Sequence, residues 1–166
     1  MLGALKWLYH VKEKIYGKGI FMIRKCQVVD SAAIQKINKT ELGYDYSVEK
    51  TTINIKRLLN DPKHHYLLVF EDENTKKVEG YLHAEIFEET YFDPMFNVLA
   101  LAVDSSAQKK GIGSQLMHTL EKQAKALGMN EVRLNSGESR LGAHKFYEKL
   151  GYTSNKMQKR FGKTLK

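Results

Sequence analysis

A strand that runs into a polar loop, and from there into two glycines at the start of a helix, constrains this chain more than any other feature. Leu99-Ala-Leu-Ala-Val103 reads as a buried strand, Asp104 to Lys110 as the loop, and Gly111-Ile-Gly113 as the opening of a helix carrying Leu116, Leu120, Ala124 and Leu127. Gly128 is the stop signal. A helix start leaves backbone N–H groups without intrahelical acceptors, and glycine lets a ligand approach them closely. With Gln108, Lys109 and Lys110 alongside, the chemistry suits an anion such as a pyrophosphate. The glycines fit neither the nucleotide-hydrolysing Gly-x-x-x-x-Gly-Lys-Ser/Thr pattern nor Gly-x-Gly-x-x-Gly.

Around this element the chain reads as mixed α/β. A strand is expected at Phe21–Cys26, a helix capped by Asp30 and running to about Lys39, and a helix capped by Ser47 and ending near Leu59. Residues 65–70 and 78–87 form a hairpin around Asp72–Lys76, and Phe96–Val103 is the next strand. After the glycine-started helix come a strand at 131–135, a helix at about 139–149, and one or two last strands between Tyr152 and about Phe161. An antiparallel meander followed by a parallel crossover predicts a mixed sheet with helices on both faces, in three layers.

The 166 residues, 42% hydrophobic and 28% charged, suit one domain of ordinary size. The single cysteine, Cys26, excludes an intrachain disulfide and a cysteine-rich metal site, and favours a reducing, cytoplasmic setting. Cys26 itself reads as strand core. Residues 1–21 form a separate basic amphipathic extension, broken off by Gly17-Lys-Gly19, and 22–166 the main domain. That extension packs on the domain, touches a membrane surface through its basic residues and Trp7, or precedes a true start at Met22. The net charge of +8 is concentrated at the two ends, while the middle carries more acids than bases. Exposed positive ends explain it without nucleic acid, since the tail from Lys156 to Lys166 lacks interleaved aromatics. No metal is expected: His118 and Glu121 stand at i,i+3 but have no third ligand in view.

Two motifs carry a family resemblance. Gln108-Lys-Lys-Gly111-Ile-Gly113 after a strand resembles the acetyl-CoA signature of the GNAT superfamily of N-acetyltransferases, Gln/Arg-x-x-Gly-x-Gly/Ala. Ala143-His-Lys-Phe-Tyr-Glu-Lys-Leu-Gly-Tyr152 resembles the family's Ala-x-x-Phe-Tyr-Glu-x-x-Gly-Phe helix and strand. The likeness covers nearly everything after residue 21 and implies a GNAT-like fold and an acetyl-CoA-dependent N-acetyltransferase. One departure is visible: where many members have Asn three residues before the motif's Ala, this chain has Arg140.

The resemblance implies pantetheine against Leu101, Ala102 and Val103, and pyrophosphate on the loop and helix start, residues Gln108, Lys109, Lys110, Gly111, Ile112, Gly113 and Ser114. Arg140 is a further phosphate contact, and Tyr147 the tyrosine near the CoA sulfur, a candidate general acid. The reaction implied is direct attack by an amine, with no acyl-enzyme. Glu85, Glu88, Glu89 and Asp93 crowd the region where family members bind acceptors, Glu85 being the candidate base and all four a candidate binding site for a cationic amine. His83 alternates with Glu85 and is a lesser candidate base, His64 and His65 are assigned to a surface turn, and His144 to a structural role. The acceptor is a cationic small molecule or a protein amine, and the protein a monomer or homodimer. Transfer of a longer acyl group, and a non-catalytic acetyl-CoA-binding module that regulates a partner, are the other readings.

Overall fold

A computed structural model describes residues 21–108 and 110–165. The basic extension therefore lies outside the described residues, apart from Phe21, as does Lys109. The chain divides into two compact units, Met1–Asn135 and Ser136–Lys166.

The first unit is a five-stranded sheet in sequential order. β1 (Phe21–Lys25), β2 (His65–Asp72), β3 (Val78–Glu89) and β4 (Phe92–Val103) run antiparallel, and β5 (Val132–Leu134) lies parallel to β4. Alternation along the strands sends their apolar side chains to two faces. Leu67, Val69, Tyr81 and Ala102 meet Ile34, Ile37 and Ile55 of α1 (Ser31–Ile37) and α2 (Val48–Leu59). On the opposite face Leu68, Phe70 and Leu82 are fully buried, as are Leu116, Met117 and Leu120 of α3 (Ile112–Ala126), the helix that packs on β2, β3 and β4. Helices thus cover both faces of a mixed sheet, the architecture the sequence predicts.

Local chemistry explains the element ends. Ser47 Oγ accepts the Lys50 N–H at 3.2 Å, capping α2 as expected. Asp30 does not cap α1 with its side chain. Its carboxylate accepts instead from Gln27 N at 2.7 Å and from both terminal nitrogens of Arg24 at 2.8 Å. α1 continues into a π-helical turn, Asn38–Leu42, closed by Gly43 at φ +78°. The Asn38 side chain accepts a hydrogen bond from the Tyr81 hydroxyl. Asp72 Oδ1 accepts from Asn74 N and Thr75 N, shaping the β2–β3 turn.

β3 and α3 meet where Gly80 stands. A Cβ there would lie 3.0 Å from Ile112 Cγ2 and 3.1 Å from the Ala102 carbonyl. Glycine lets the first turn of α3 press onto the strand beside β4.

The second unit contains α4 (Leu141–Lys149), ended by Gly151 at φ +89°. The last strands expected between Tyr152 and about Phe161 are not formed. Apolar residues there fall at Met157, Phe161 and Leu165, four apart rather than alternating, and all three are exposed.

Candidate active site

The loop after β4 is pinned from several directions. Asp104 Oδ1 accepts from Ser106 N at 3.0 Å and Ser106 Oγ at 2.6 Å, and Oδ2 pairs with Lys77 Nζ at 3.0 Å. Those bonds hold the Asp104 carboxyl down at about 2, with the Ser106 hydroxyl first and Lys77 next. Glu41 Oε1 accepts from Ser105 N at 3.1 Å. Lys110 Nζ bonds both oxygens of Glu79 on β3 at 3.2 Å. Ala107 is buried, and Gln108 is extended and exposed.

Gly111 then turns the chain into α3 with φ +72° and ψ +14°, a left-handed conformation that favours glycine. A Cβ on it would meet nothing nearer than Gln115 Nε2 at 3.9 Å, so the space above the helix start is open. Ile112 is buried and fixes the first turn, while Gly113 and Ser114 are half-buried. The first intrahelical bond of the turn is Gln115 N to the Gly111 carbonyl at 3.0 Å. The amides of Ile112, Gly113 and Ser114 precede it and lack intrahelical acceptors.

β4 supplies the second part. Its pairing with β5 ends at Val98 opposite Leu134, yet β4 runs on to Val103. Among the described residues no strand pairs with that edge beyond Val98, so Leu99–Val103 offers backbone groups to a ligand lying along it. On the other edge the register shifts, with His83 opposite Ala100 but Ala84 opposite Val98. Leu99 is the extra residue of a β-bulge, and it is 48% exposed.

At this bulge lies a cavity of about 460 Å³. Asn54, Arg57, Leu58 and Asp61 line it from α2 and the turn after it; His65, His83 and Leu99 line it from the strands. His83 Nε2 and His65 Nδ1 are 3.3 Å apart. Burial, and secondarily His65, pushes His83 down to about 4, so its imidazole is neutral at physiological pH. The Asp61 carboxylate meets His64 Nδ1 at 2.9 Å, a bond that lowers its pKa.

The acidic residues spread along the β3–β4 hairpin rather than converge on this cavity. Glu85 is half-buried and accepts from Asn97 Nδ2 at 2.9 Å. It lies opposite His65 in the sheet register and shares a strand face with His83. Asn97 Oδ1 is buried without a partner. Glu88 and Asp93 are exposed; Glu89 is half-buried, and its hydrogen bond with Tyr91 raises that phenol's pKa.

In the second unit Tyr147 is half-buried on α4, edge-on to Phe146 at 5.1 Å and to Tyr152 at 6.0 Å between ring centroids. Burial raises its pKa, offset in part by Arg140, so the phenol keeps its proton. Arg140 is exposed just before α4. His144 Nε2 bonds the Gly137 carbonyl at 3.0 Å, a structural tie. His118 Nδ1 meets Glu121 Oε2 at 2.9 Å. Cys26 is buried, and burial pushes its thiol up to about 12, far from a reactive thiolate. No helix among the described residues is long and apolar enough to cross a membrane.

The residues that sequence reading missed are those of α2. Asn54, Arg57 and Asp61 recur at helical spacing on one side of α2 and the turn after it, a polar row whose significance appears only with the cavity beside it. His65 begins β2 as the strand expected over 65–70 has it, pairing with Glu85, while its N–H bonds the Asp61 carbonyl at 3.0 Å.

The family model of the acetyltransferase (GNAT) family matches residues 31–152. Among solved structures, an aminoglycoside acetyltransferase from an uncultured soil metagenomic sample matches with a TM-score of 0.76 at 24% identity, covering 89% of this chain and 97% of its own. Glucosamine-6-phosphate N-acetyltransferase from Arabidopsis thaliana matches with a TM-score of 0.72 at 20% identity, over 86% and 97%. A transcriptional regulator from Bacillus halodurans C-125 matches with 0.76 at 19%, over 86% and 99%. At these identities the likeness is one of fold. No curated protein matches the sequence.

Proposed function

The chain belongs to the acetyltransferase (GNAT) family, and from that premise we propose that it transfers the acetyl group of acetyl-CoA directly to a primary amine. The observation that carries this reading is Gly111 in its left-handed turn, with open amides at the start of α3 beside the unpaired stretch of β4. The donor set fits a pyrophosphate: the amides of Ile112, Gly113 and Ser114, the Gln108 side chain, and positive charge from Lys109 and Lys110. Lys110 delivers its charge from the place where Glu79 holds it. The backbone of Leu101, Ala102 and Val103 hydrogen-bonds the pantetheine chain, and N–H groups there polarise the thioester oxygen.

Arg140 and Tyr147 are assigned to the cosubstrate on the motif they belong to, Arg140 at the phosphates and Tyr147 as the acid that protonates the departing thiolate. The raised pKa of Tyr147 suits an acid that must stay protonated until it is used. Glu85, with Glu88, Glu89 and Asp93 along the same hairpin, gives the acceptor side a negative field that draws in a cationic amine.

Calorimetry with acetyl-CoA tests the placement. Valine at φ +72° costs about 1–2 kcal/mol in the left-handed region, a strain relieved when the turn opens and the amides withdraw. Gly111→Val is expected to bind acetyl-CoA about tenfold more weakly or worse, while it still unfolds cooperatively with a melting temperature lower by about 2–8 °C. Unchanged affinity in the folded variant would remove the pyrophosphate from this turn.

A further inference from the structure

Two imidazoles touch in a cavity that is otherwise short of bases. His83 faces the cavity from the middle of β3, directly opposite Ala100 at the bulge, and His65 faces it from the start of β2. The ionisable groups around them are few. α2 and its following turn bring Arg57 and Asp61, and Asp61 already holds His64. Glu85 lies across from His65 and holds Asn97. β4 brings Leu99 and Ala100, which carry no charge. Among the described residues, no carboxylate hydrogen-bonds either imidazole of the pair. The one polar contact of His83 Nε2 among the described residues is His65 Nδ1. One proton lies across that contact, on one nitrogen or the other. With His83 Nε2 donating, His83 Nδ1 is left as a bare acceptor and His65 carries its proton on Nε2.

We propose that His83, backed by His65, is the proton acceptor for the amine nitrogen as the amide bond forms. The inference rests on the acetyl-transfer reading and assigns its base to His83 in place of Glu85, whose carboxylate accepts from Asn97. The amine nitrogen attacks the thioester carbon, and the carbonyl π pair moves to oxygen. The nitrogen, now bearing one proton too many, gives it to His83 Nδ1. Nε2–H of His83 passes its proton to His65 Nδ1, and His65 releases the one on Nε2 to water. The pair on oxygen re-forms the carbonyl, the C–S bond breaks, and the thiolate takes its proton from Tyr147. One proton leaves the amine, one reaches the sulfur, and His83, His65 and Tyr147 are all restored by exchange with water. A base held neutral by its surroundings suits this step, because it is ready at physiological pH and needs only to accept from a strongly acidic ammonium adduct.

His83→Gln keeps a polar side chain of similar reach but cannot take a proton. CoA release is measured for the parent and this variant with whichever of spermidine, glucosamine, lysine and a lysine-bearing peptide the parent turns over fastest. The expected result is a fall in kcat of about 10²-fold or more, with acetyl-CoA affinity and melting temperature unchanged, and partial rescue of His83→Ala by added imidazole. In His65→Gln a smaller fall is expected. Because His65 depresses His83, its removal moves the acid limb of kcat/KM to higher pH, a shift that a packing role would not produce. Parent-like turnover in His83→Gln overturns the assignment and leaves the transferase intact. No transfer by the parent to any of these amines overturns both.

Discussion

Replacing Tyr147 with phenylalanine is expected to lower turnover by about 10²-fold or more, the usual scale for loss of a general acid, while acetyl-CoA affinity changes little. The ring that stacks edge-on against Phe146 and Tyr152 keeps its shape, so α4 keeps its packing. Only the hydroxyl goes. An interaction made only in the transition state lowers kcat and kcat/KM together, whereas a lost ground-state contact raises KM. The pH dependence adds a second reading. Burial raises the phenol above its ordinary value near 10, so Tyr147 should produce no basic limb in the profile below about pH 10. Steady-state kinetics with the best amine checks both points. Full turnover by Tyr147→Phe would remove the acid role.

Arg24→Ala should destabilise the fold by about 3 kcal/mol, near the lower end for breaking a buried ion pair. Arg24 bonds Asp30 through both terminal nitrogens at 2.8 Å, and Glu71 Oε2 through Nε at 2.9 Å and Nη2 at 2.7 Å. Its side chain is 17% exposed, Asp30's 4% and Glu71's 10%. The two carboxylates hold the guanidinium firmly in its charged form. Removing Arg24 leaves the Asp30 carboxylate on the Gln27 N–H at 2.7 Å and Glu71 on the Lys76 ammonium at 3.7 Å, both with little water. The cost is large because this one side chain ties β1, the turn into α1, and β2 together. Urea unfolding followed by circular dichroism measures it. A loss under about 1 kcal/mol would place the cluster with ordinary surface pairs.

That cluster shows where sequence reading stops. Ser47 was legible as a cap because its partner stands three residues away, and Gly111 and Gly128 were legible at the two ends of α3 because the left-handed region selects glycine. Asp30 carried the same local signal as Ser47, yet Arg24 and Glu71 claimed its carboxylate, and no local rule anticipates a partner 47 residues from Arg24. The bulge at Leu99 was hidden for a similar reason. Leu99-Ala-Leu-Ala-Val103 reads as an unbroken strand, and the extra residue appears only when its register against His83 and Ala84 is known. The left-handed turn into α3 was readable because a short contiguous motif builds it. The cavity at the bulge was not, since α2, β2, β3 and β4 each contribute a part of its wall. The acidic run from Glu85 to Asp93 looked like a cluster in sequence, but the strands spread it along a hairpin.

The claim at the centre of this account is that acetyl-CoA bound at Gly111 is consumed by an amine. Purified protein is incubated with acetyl-CoA and a panel of polyamines, amino sugars, amino acids and peptides, and released CoA is measured against acetylated product. The account predicts one CoA released for each amide formed with at least one amine, faster for cationic acceptors than for neutral ones, and abolition of the difference at high salt. Tight acetyl-CoA binding with no acetylation anywhere in the panel would contradict it, and would make the protein an acetyl-CoA-binding regulatory module instead.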